Sequence, residues 1–252
     1  MSLRPLAGEL RWMLDPTDPL RAYNRRLAWQ FATHNRATVV ADTHLILTGG
    51  HMEKAQARSL QRLMLHQPWV REVAEVGFNG GHSSYTFLDS RPDVRVTSFD
   101  LGTHDYIDLT KSLIDSLFPG RHELVIGDSR STVPAFAEAH PDHRFDLIFI
   151  DGIHTLEAAR ADIENCRFLA SERAVIVMDD LERHKDASAG VVQAWLEAQH
   201  DGVIHQDVVA VNGFPVVGAL DEIETSGAVW ALGHYRQRDT DPTAPSGKHQ
   251  TT

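Results

Sequence analysis

The sequence predicts an α/β fold built on a Rossmann-like, doubly wound sheet, and three observations support this. From Arg71 onward, short apolar runs alternate with amphipathic helical segments, as expected for a parallel sheet covered on both faces. The runs at residues 145–150 and 174–178 are strongly apolar, as central buried strands are. The run at residues 72–76 leads directly into a glycine-rich turn at 77–81. The length of 252 residues suits one such domain with a small appendage.

The predicted strands and helices alternate along the chain. Strands are expected at Glu72–Val76, Val94–Phe99, Glu123–Ile126, Phe145–Ile150 and Ala174–Met178. Helices are expected at Ser83–Leu88, Tyr106–Phe118, Val133–His140, Leu156–Leu169 and Gly190–Gln199. Three later apolar runs suit a closing antiparallel pair; they are Val203–Val211, Pro215–Leu220 and Ala228–Tyr235. We therefore expect seven strands, with the last one antiparallel.

Residues 1–70 are predicted to form an N-terminal helical lid or cap. An amphipathic, Arg-rich segment at 20–31 and helical apolar spacing at 52–65 each predict a helix. Because this region directly precedes the first strand, we expect it to cover the active site; the alternative is a collar that only packs. The main domain is expected to span 71–236. Residues 237–252 have too little apolar surface to fold and are expected to be a disordered tail.

Composition and charge restrict the class of partner. The net charge of −11 argues against nucleic acid, whose binding needs clustered lysine and arginine, so a small-molecule partner is expected. Cys166 is the only cysteine, which excludes an intrachain disulfide and predicts a buried, inert thiol. No apolar run reaches the roughly 18 residues of a membrane span, and no secretory signal is evident. We expect a soluble cytoplasmic protein with no membrane partner; the sequence leaves open a homo-oligomer.

The turn after the first strand reads Gly77-Phe78-Asn79-Gly80-Gly81. A strand that runs into such a turn at a helix start exposes backbone N–H groups and allows close approach, which suits a nucleotide-like cofactor. The alternative is only a tight strand-to-helix connection. The glycine spacing differs from the Gly-x-Gly-x-x-Gly of dinucleotide enzymes, and this disfavours a nicotinamide-dependent oxidoreductase.

Two further strand ends carry candidate cofactor contacts. Asp100 ends the second strand, where a carboxylate can accept hydrogen bonds from both ribose hydroxyls. Gly127-Asp128-Ser129 ends the third strand, where Asp128 could accept from the adenine amino group. Each could instead form only a turn. All of them follow strand C-termini, where the ligands of open α/β sheets bind.

The fourth and fifth strands both end in carboxylates: Asp151 after one, and Asp179 and Asp180 after the other. If these strands are neighbours, three carboxylates meet at one edge, and their repulsion raises their pKa values unless a cation lies between them. Oxygen ligands of this kind suit Mg²⁺ or a similar divalent cation. The alternative is that Asp179 and Asp180 only cap the following turn.

The segments Phe149–Ile163 and Ala174–Asp180 resemble the methyltransferase 24 family of class I S-adenosylmethionine-dependent methyltransferases. That family is related to macrolide-sugar and novobiocin-type O-methyltransferases, and more distantly to catechol O-methyltransferases. The resemblance covers about residues 70–196, and the glycine-rich turn with Glu75 before it is similar to motif I. The chain departs from the family pattern at residues 170–173, where a Pro-Gly-Gly turn is usual, and at Leu156, where an aromatic residue is often found.

The resemblance implies S-adenosyl-L-methionine as cofactor and a metal ion, Mg²⁺ or similar, held by Asp151, Asp179 and Asp180. Together with the turn and strand-end residues above, the predicted cofactor contacts are Glu75, Gly77, Phe78, Asn79, Gly80, Ser83, Asp100, Leu101, Gly127, Asp128, Ser129 and Asp151.

His154 and Asp151 are the predicted catalytic residues. His154 lies three residues after Asp151, where catechol methyltransferases, which this chain resembles, have a lysine base. An imidazole with a pKa of about 6.5 can accept the proton of an acceptor hydroxyl at neutral pH. His154 could instead cap the next helix or bind the metal. Three other histidines, His51, His82 and His104, fall in predicted loops near the pocket, and His82 is a candidate substrate contact.

The sequence thus predicts a metal-assisted O-methyltransferase that acts on a sugar or phenolic hydroxyl of a specialised metabolite, in natural-product biosynthesis. The alternatives are a metal-independent N- or C-methyltransferase, a nicotinamide-dependent oxidoreductase and a non-catalytic binding protein. The last is disfavoured because an uncompensated cluster of buried charges is costly. The sequence does not name the acceptor, since its contacts come from the lid and loops.

Overall fold

The computed structural model describes residues 17–34 and 52–236 of the chain. The predicted tail, His51 and the parts of the predicted lid at 1–16 and 35–51 lie outside the described residues. Within the described ranges the helices are α1 (Arg21–His34), α2 (Lys54–His66), α3 (His82–Ser90), α4 (Ile107–Leu117), α5 (Ser129–Ala139), α6 (Leu156–Arg167) and α7 (Ala189–His200). The strands are β1 (Glu72–Val76), β2 (Arg95–Asp100), β3 (His122–Ile126), β4 (Phe145–Ile150), β5 (Ala170–Met178), β6 (Ile204–Val211), β7 (Phe214–Val216) and β8 (Val229–Tyr235).

The described strands form one sheet in the order β3-β2-β1-β4-β5-β8-β6-β7. Strands β1 to β5 are parallel, whereas β8 runs antiparallel to both β5 and β6. This confirms the Rossmann-like, doubly wound α/β class and the antiparallel last strand. The described sheet has eight strands where seven were expected, because β7 pairs with the end of β6 as a short edge strand.

The sheet buries a core on each face, because alternate residues of a strand point to opposite sides. On one side, Val73 of β1 and Phe149 of β4 pack in one cluster with α1 to α4. On the other side, Ala74 and Ile148 pack with α5 to α7. All four side chains are fully buried. The core therefore holds the C-terminal ends of the parallel strands, where the candidate site residues lie, in a fixed arrangement.

Helices α1 and α2 are part of this core. Tyr23 of α1 and Leu60 and Met64 of α2 have no exposed surface and belong to the same cluster as β1. The two helices expected near the N-terminus are thus present. Their burial means that α1 and α2 contribute to the stability of the fold.

Three described helices begin earlier than the sequence predicts, two of them by one residue and α5 by four. Helix α5 was expected from Val133, but it begins at Ser129 because Asp128 is its N-cap and accepts a hydrogen bond from the backbone N–H of Arg130 at 3.0 Å. The residues between Asp128 and Val133 are polar and show no helical apolar spacing, so the first turn of α5 could not be predicted from periodicity. Cys166 is buried in α6, as predicted. No helix in the described ranges is both long enough and apolar enough to cross a membrane.

Candidate active site

Two adjoining cavities lie at the C-terminal edge of the parallel strands. The first, of about 190 Å³, lies over the ends of β1, β2 and β3 and is lined in part by Asn79 and Asp100; we call it the glycine-loop cavity. The second, of about 470 Å³, lies over the ends of β4 and β5 and is lined in part by Asp179 and Asp180; we call it the carboxylate cavity. Asp151 lines both cavities, so they meet at the end of β4.

The turn after β1 requires glycine at its first position. Gly77 has a φ of 97°, which residues with a side chain rarely adopt. A Cβ atom there would lie 2.0 Å from the backbone oxygen of Asp151. The turn after β1 therefore packs backbone to backbone against the end of β4. This close approach places the turn between the two cavities.

Asp100 organises this turn from the end of β2. Its Oδ2 accepts hydrogen bonds from the backbone N–H groups of Phe78 and Asn79, each at 2.9 Å. Its Oδ1 accepts one from the backbone N–H of Gly102 at 2.8 Å. A carboxylate offers about four lone pairs, so these three bonds leave capacity for a ligand. Asp100 can therefore both shape the turn and accept a hydrogen bond from the cavity.

The turn after β3 places Gly127, Asp128 and Ser129 on the wall of the glycine-loop cavity. Besides capping α5, Asp128 forms an ion pair with Arg130, with Oδ2 and Nη2 2.6 Å apart. Hydrogen bonding from Arg130 lowers the pKa of Asp128. The turn-forming role considered for Asp128 is thus present, and Arg130 occupies both of its carboxylate oxygens.

Glu75 lies beneath the glycine-rich turn and is not among the residues that line either cavity. Its side chain is fully buried, and Oε2 accepts hydrogen bonds from the hydroxyls of Ser84 and Ser98. Burial raises the pKa of Glu75 to about 7. The hydroxyl oxygen of Ser98 is also 2.9 Å from Nε2 of His122. Burial lowers the pKa of His122 to about 3. These four residues form a buried polar cluster that supports the turn from below.

The carboxylates after β4 and β5 lie at one edge of the sheet. The two strands are neighbours, with Ile150 paired to Met178, as the metal-site prediction requires. Burial raises the pKa of Asp151 well above its usual range, and the charges of Asp179 and Asp180 raise it further. Burial also raises the pKa of Asp179 to about 7. The edge therefore carries an electrostatic cost that a bound cation would relieve.

His154 contacts Asp180 within the carboxylate cavity. Its Nε2 atom lies 2.8 Å from Oδ2 of Asp180, and this hydrogen bond raises the pKa of His154. One ligand atom from each of Asp151, His154 and Asp180 lies within 4.8 Å of the others. Asp180 also has a φ of 56°, an uncommon conformation for a residue other than glycine. These three residues form a compact group with two carboxylates and one imidazole.

Asp179 lies beside this group and is directed toward α2. Its Oδ2 accepts a hydrogen bond from Nε2 of Gln56, and its Oδ1 accepts one from the backbone N–H of Asp180 at 2.9 Å. Of the predicted ligand set, the compact group therefore contains Asp151 and Asp180, with His154 in the third place. Gln56 could not be identified from the sequence, because a helix predicted from apolar spacing alone does not reveal the partner of a glutamine on it.

The remaining predicted contacts are divided among the two cavities and the core. Leu101 lines the glycine-loop cavity, and Ser83 lines the carboxylate cavity. Phe78 lines the carboxylate cavity and stacks on His122, with ring centroids 5.0 Å apart. Gly80 is not among the lining residues of either cavity; its carbonyl accepts a hydrogen bond from the hydroxyl of Tyr23 at 2.7 Å.

Residues 74–181 match the model of the Methyltransf_24 family, which is described as a methyltransferase domain. The chain carries a methyltransferase domain. This confirms the predicted class, the class I S-adenosylmethionine-dependent methyltransferases. The matched residues contain the glycine-rich turn and the ends of β1 to β5. A comparison with curated proteins returned no match.

Solved structures show the same fold at low sequence identity. An O-methyltransferase from Bacillus cereus, solved with S-adenosylhomocysteine, is 18% identical with a TM-score of 0.60, covering 79% of this chain and 89% of that one. TomG from Streptomyces achromogenes, an O-methyltransferase of tomaymycin synthesis solved with S-adenosylmethionine, is 16% identical (TM-score 0.59; 82% and 90% covered). CalS11, the TDP-rhamnose 3′-O-methyltransferase of calicheamicin biosynthesis, is 19% identical (TM-score 0.53; 84% and 94% covered).

Two residues at the cavities or at the glycine-rich turn, Tyr106 and Glu53, were not assigned from the sequence. Tyr106, the N-cap of α4, donates a hydrogen bond from its hydroxyl to Oδ1 of Asn79 at 2.5 Å and so holds the glycine-rich turn. Glu53, just before α2, lines the carboxylate cavity, as does the candidate substrate contact His82. The site residues were predicted from their positions at strand ends, and Glu53 and Tyr106 do not lie at a strand end.

Proposed function

We propose that this methyltransferase transfers the methyl group of S-adenosyl-L-methionine to a hydroxyl group of a small molecule, assisted by a divalent cation such as Mg²⁺. The observation that carries the proposal is the position of Asp151. It lines both cavities and belongs to the compact group with His154 and Asp180. A donor in the first cavity and an acceptor in the second would therefore meet beside that group.

The glycine-loop cavity is the proposed cofactor site, with its opening toward Asp151 for the methyl-bearing end. Asp100 is the proposed ribose contact, because it ends β2 beside the glycine-rich turn. Backbone groups of Gly77 and Asn79 and the turn 127–129 are the other proposed contacts. Glu75, which lies beneath the turn, and Gly80, which belongs to the turn and is bonded to Tyr23, are proposed to act on this site through the position of the turn.

The residues present fit a hard divalent cation. Two carboxylates and one imidazole offer ligand atoms close together, and two of the three are oxygens, which Mg²⁺ prefers. Burial and neighbouring charges raise the pKa of Asp151, and a cation would offset both. When bound, the cation would lower the pKa of the acceptor hydroxyl and help to fix its orientation.

His154 has two roles open to it within this proposal. As a base, its imidazole accepts the proton of the acceptor hydroxyl, while Asp180 at 2.8 Å orients the ring. As a ligand, it completes the compact group, and Asp179, held by Gln56, stays outside it. If His154 is the base, the proposed metal ligands are the three carboxylates predicted from the sequence, Asp151, Asp179 and Asp180.

The proposed acceptor is a sugar or phenolic hydroxyl of a specialised metabolite. The CalS11 neighbour, named a TDP-rhamnose 3′-O-methyltransferase, supports the sugar class by its name alone. Residues 1–70 are included as an acceptor-side lid, because Glu53 and Gln56 line the carboxylate cavity. Natural-product biosynthesis and a cytoplasmic location belong to the same proposal.

Manganese binding followed by electron paramagnetic resonance tests the cation site directly. The wild-type protein should bind one Mn²⁺, and Asp180→Asn should weaken binding at least about 10-fold. Asp207→Asn is the matched control, because Asp207 pairs with His234 at 2.9 Å in β6 and β8, away from the cavities. Its Mn²⁺ affinity should equal that of the wild type.

His154→Ala separates the two roles of the histidine. Weakened Mn²⁺ binding would assign His154 as a ligand, whereas unchanged Mn²⁺ binding with turnover about 100-fold lower would assign it as the base. If S-adenosylhomocysteine binds but Mn²⁺ does not, the function moves to a metal-independent N- or C-methyltransferase. If S-adenosylhomocysteine does not bind, the cofactor assignment is wrong.

A further inference from the structure

A third cavity, of about 470 Å³, lies between α2 and the turn that joins β6 to β7. Its lining includes Lys54, Arg58 and Arg62, which are four residues apart and so share one face of α2. We call it the basic cavity. Met52 and Glu53 line both this cavity and the carboxylate cavity, so the two are adjacent.

The basic cavity concentrates positive charge on a protein whose net charge is −11. Its lining holds three cationic side chains and two carboxylates, those of Asp18 and Glu53. Asp18 is held in position by a local hydrogen bond, which its Oδ1 accepts from the backbone N–H of Leu20 at 2.9 Å. Arg58 donates to the backbone carbonyl of Thr17 at 2.5 Å, which is a neutral acceptor, and the three cations of the lining outnumber its two carboxylates. An anion is therefore the ligand that this lining favours.

An aromatic side chain completes the lining. Phe214, the first residue of β7, is 64% exposed and lines the same cavity. Its turn is fixed against α2: the hydroxyl of Ser59 donates to the carbonyl of Gly213 at 3.0 Å, and a Cβ atom on Gly213 would lie 2.4 Å from the backbone oxygen of Ala55. An exposed aromatic ring held beside cations suits a nucleobase linked to phosphate, because any base can stack on such a ring.

We propose that the basic cavity binds the nucleoside diphosphate portion of the methyl acceptor. The diphosphate contacts Lys54, Arg58 and Arg62, and the base stacks on Phe214. The hydroxyl-bearing part then passes Met52 and Glu53 into the carboxylate cavity. This inference rests on the proposed function, since it names the substrate class of that site. The volume supports an extended ligand, because a single phosphate would fill only a small part of about 470 Å³.

Calorimetric titration of the full chain with uridine diphosphate, inorganic pyrophosphate and uridine tests the proposal. A chelator is present throughout, so that the diphosphate cannot bind through a cation at the carboxylate edge. We expect pyrophosphate to bind weakly, with an affinity that falls as salt rises, because the contact is electrostatic. Uridine diphosphate should bind at least 10-fold tighter than pyrophosphate, because the base adds its stacking contact. Affinities that are equal would indicate a site for a free anion and contradict the acceptor assignment.

Variants assign the two parts of the ligand to their contacts. Arg58→Ala should weaken both uridine diphosphate and pyrophosphate at least 10-fold, and Arg58→Lys should restore part of the loss. Phe214→Ala should weaken uridine diphosphate at least 5-fold and leave pyrophosphate unchanged. The control is Arg144→Ala, an exposed arginine before β4 that donates to the carbonyl of Pro141 at 2.7 Å. If Arg58→Ala behaves like Arg144→Ala, the proposal is wrong.

Titration with S-adenosylhomocysteine separates this inference from the proposed function. Saturating S-adenosylhomocysteine should leave the affinity for uridine diphosphate unchanged, because the glycine-loop cavity and the basic cavity are distinct. Competition between S-adenosylhomocysteine and uridine diphosphate would place the nucleotide in the glycine-loop cavity and overturn the inference. If S-adenosylhomocysteine binds and uridine diphosphate does not, only the inference fails. If S-adenosylhomocysteine does not bind the wild-type protein, the proposed function fails first.

Discussion

Among single residues, Asp100 is the most direct test of the cofactor site. Asp100→Ala removes the acceptor of three backbone hydrogen bonds and the proposed ribose contact. We expect the affinity for S-adenosylhomocysteine to fall at least about 10-fold, which corresponds to about 1.4 kcal/mol, near the lower end of what a charge-assisted hydrogen bond contributes. Isothermal titration calorimetry measures this loss.

A matched carboxylate controls for the loss of backbone hydrogen bonds. Asp146, in β4, accepts from the backbone N–H groups of Arg71 and Glu72 at 3.0 and 3.2 Å, at the opposite end of the sheet. Asp146→Ala should lower the melting temperature without changing the affinity for S-adenosylhomocysteine. If Asp100→Ala stays folded and binds S-adenosylhomocysteine like the wild type, Asp100 only shapes the turn.

The buried carboxyl of Glu75 makes stability depend on pH in a defined direction. Burial raises its pKa from 4.5 to about 7, so the folded state binds more protons than the unfolded state between these values. Stability from this group is present below about pH 4.5 and is lost as the pH rises through 7. Glu75→Gln cannot ionise, so its free energy of unfolding should rise relative to the wild type by about 3 kcal/mol between pH 4.5 and pH 8.

Urea unfolding at several pH values measures that difference. His122 acts in the opposite direction, because burial lowers its pKa to about 3, but it is present in both proteins and cancels. Glu123→Gln, at an exposed position in β3, is the control and should show no such pH-dependent gain. A constant difference between Glu75→Gln and the wild type across this range would contradict the burial argument.

The sequence predicts which residues lie at the C-terminal ends of the parallel strands, but not which groups each of them contacts. Asp100 and Asp151 line the cavities because each directly follows or ends a parallel strand. Glu75, predicted as a cofactor contact, is fully buried, and its two hydrogen-bond partners, Ser84 and Ser98, lie on other elements that no local pattern links to it. The partner of Asp179, Gln56, is 123 residues away in the chain, and no local pattern reveals such a pair.

Among the elements, the contact between the turn after β1 and the end of β4 is the most sensitive to substitution. Gly77→Ala would place a Cβ atom 2.0 Å from the backbone oxygen of Asp151, at a φ of 97°. Neither backbone can move without displacing a strand end. We expect a loss of about 3 kcal/mol or more in the free energy of unfolding, with weaker S-adenosylhomocysteine binding.

A second glycine separates conformational strain from the steric clash. Gly120 also has a positive φ, of 69°, but a Cβ atom there would meet nothing within 4 Å. Gly120→Ala should cost only about 1 kcal/mol and leave S-adenosylhomocysteine binding unchanged. Equal losses for Gly77→Ala and Gly120→Ala in thermal unfolding would show that the close approach to Asp151 is not a constraint.

Helix α2 is linked to the carboxylate edge through one hydrogen bond. Gln56→Ala removes the side-chain donor to the buried Asp179. We expect the free energy of unfolding to fall by roughly 1–3 kcal/mol, the cost of leaving a buried acceptor without its partner. The affinity for S-adenosylhomocysteine should stay within 2-fold of the wild type, because the glycine-loop cavity is not touched. Gln61→Ala, on the same helix, is the control; a larger effect from it would contradict this role for Gln56.

The elements themselves were largely predictable, for physical reasons. Buried parallel strands such as β4 and β5 are apolar on both faces, so their sequences stand out whatever their neighbours are. The start of α5 was not predictable from periodicity, because it depends on capping by Asp128. Strand β7 was not separated from the following residues, because a three-residue edge strand is defined by its pairing with β6 rather than by its own pattern.

For the molecule as a whole, the arrangement links folding to the proposed chemistry. The helices before β1 belong to one core cluster, and the residues around α2 line both the carboxylate cavity and the basic cavity. The described part of the predicted lid, α1 and α2, is therefore packed into the core, and its acceptor-side role is part of the proposed function. The sequence predicted the order of strand ends well, because topology follows from the alternating pattern, but the cavities arise from contacts across the whole chain.

In the proposed function, this methyltransferase uses a divalent cation to methylate a hydroxyl group. The most direct measurement follows a labelled methyl group from S-adenosylmethionine into a panel of sugars, phenols and nucleotide-linked sugars, with Mg²⁺ and with excess chelator. We predict that label enters a hydroxyl acceptor with Mg²⁺, that chelation stops the transfer and added Mg²⁺ restores it, and that S-adenosylhomocysteine binding survives chelation. Full transfer in excess chelator, with no metal found by elemental analysis of the protein, would contradict the claim.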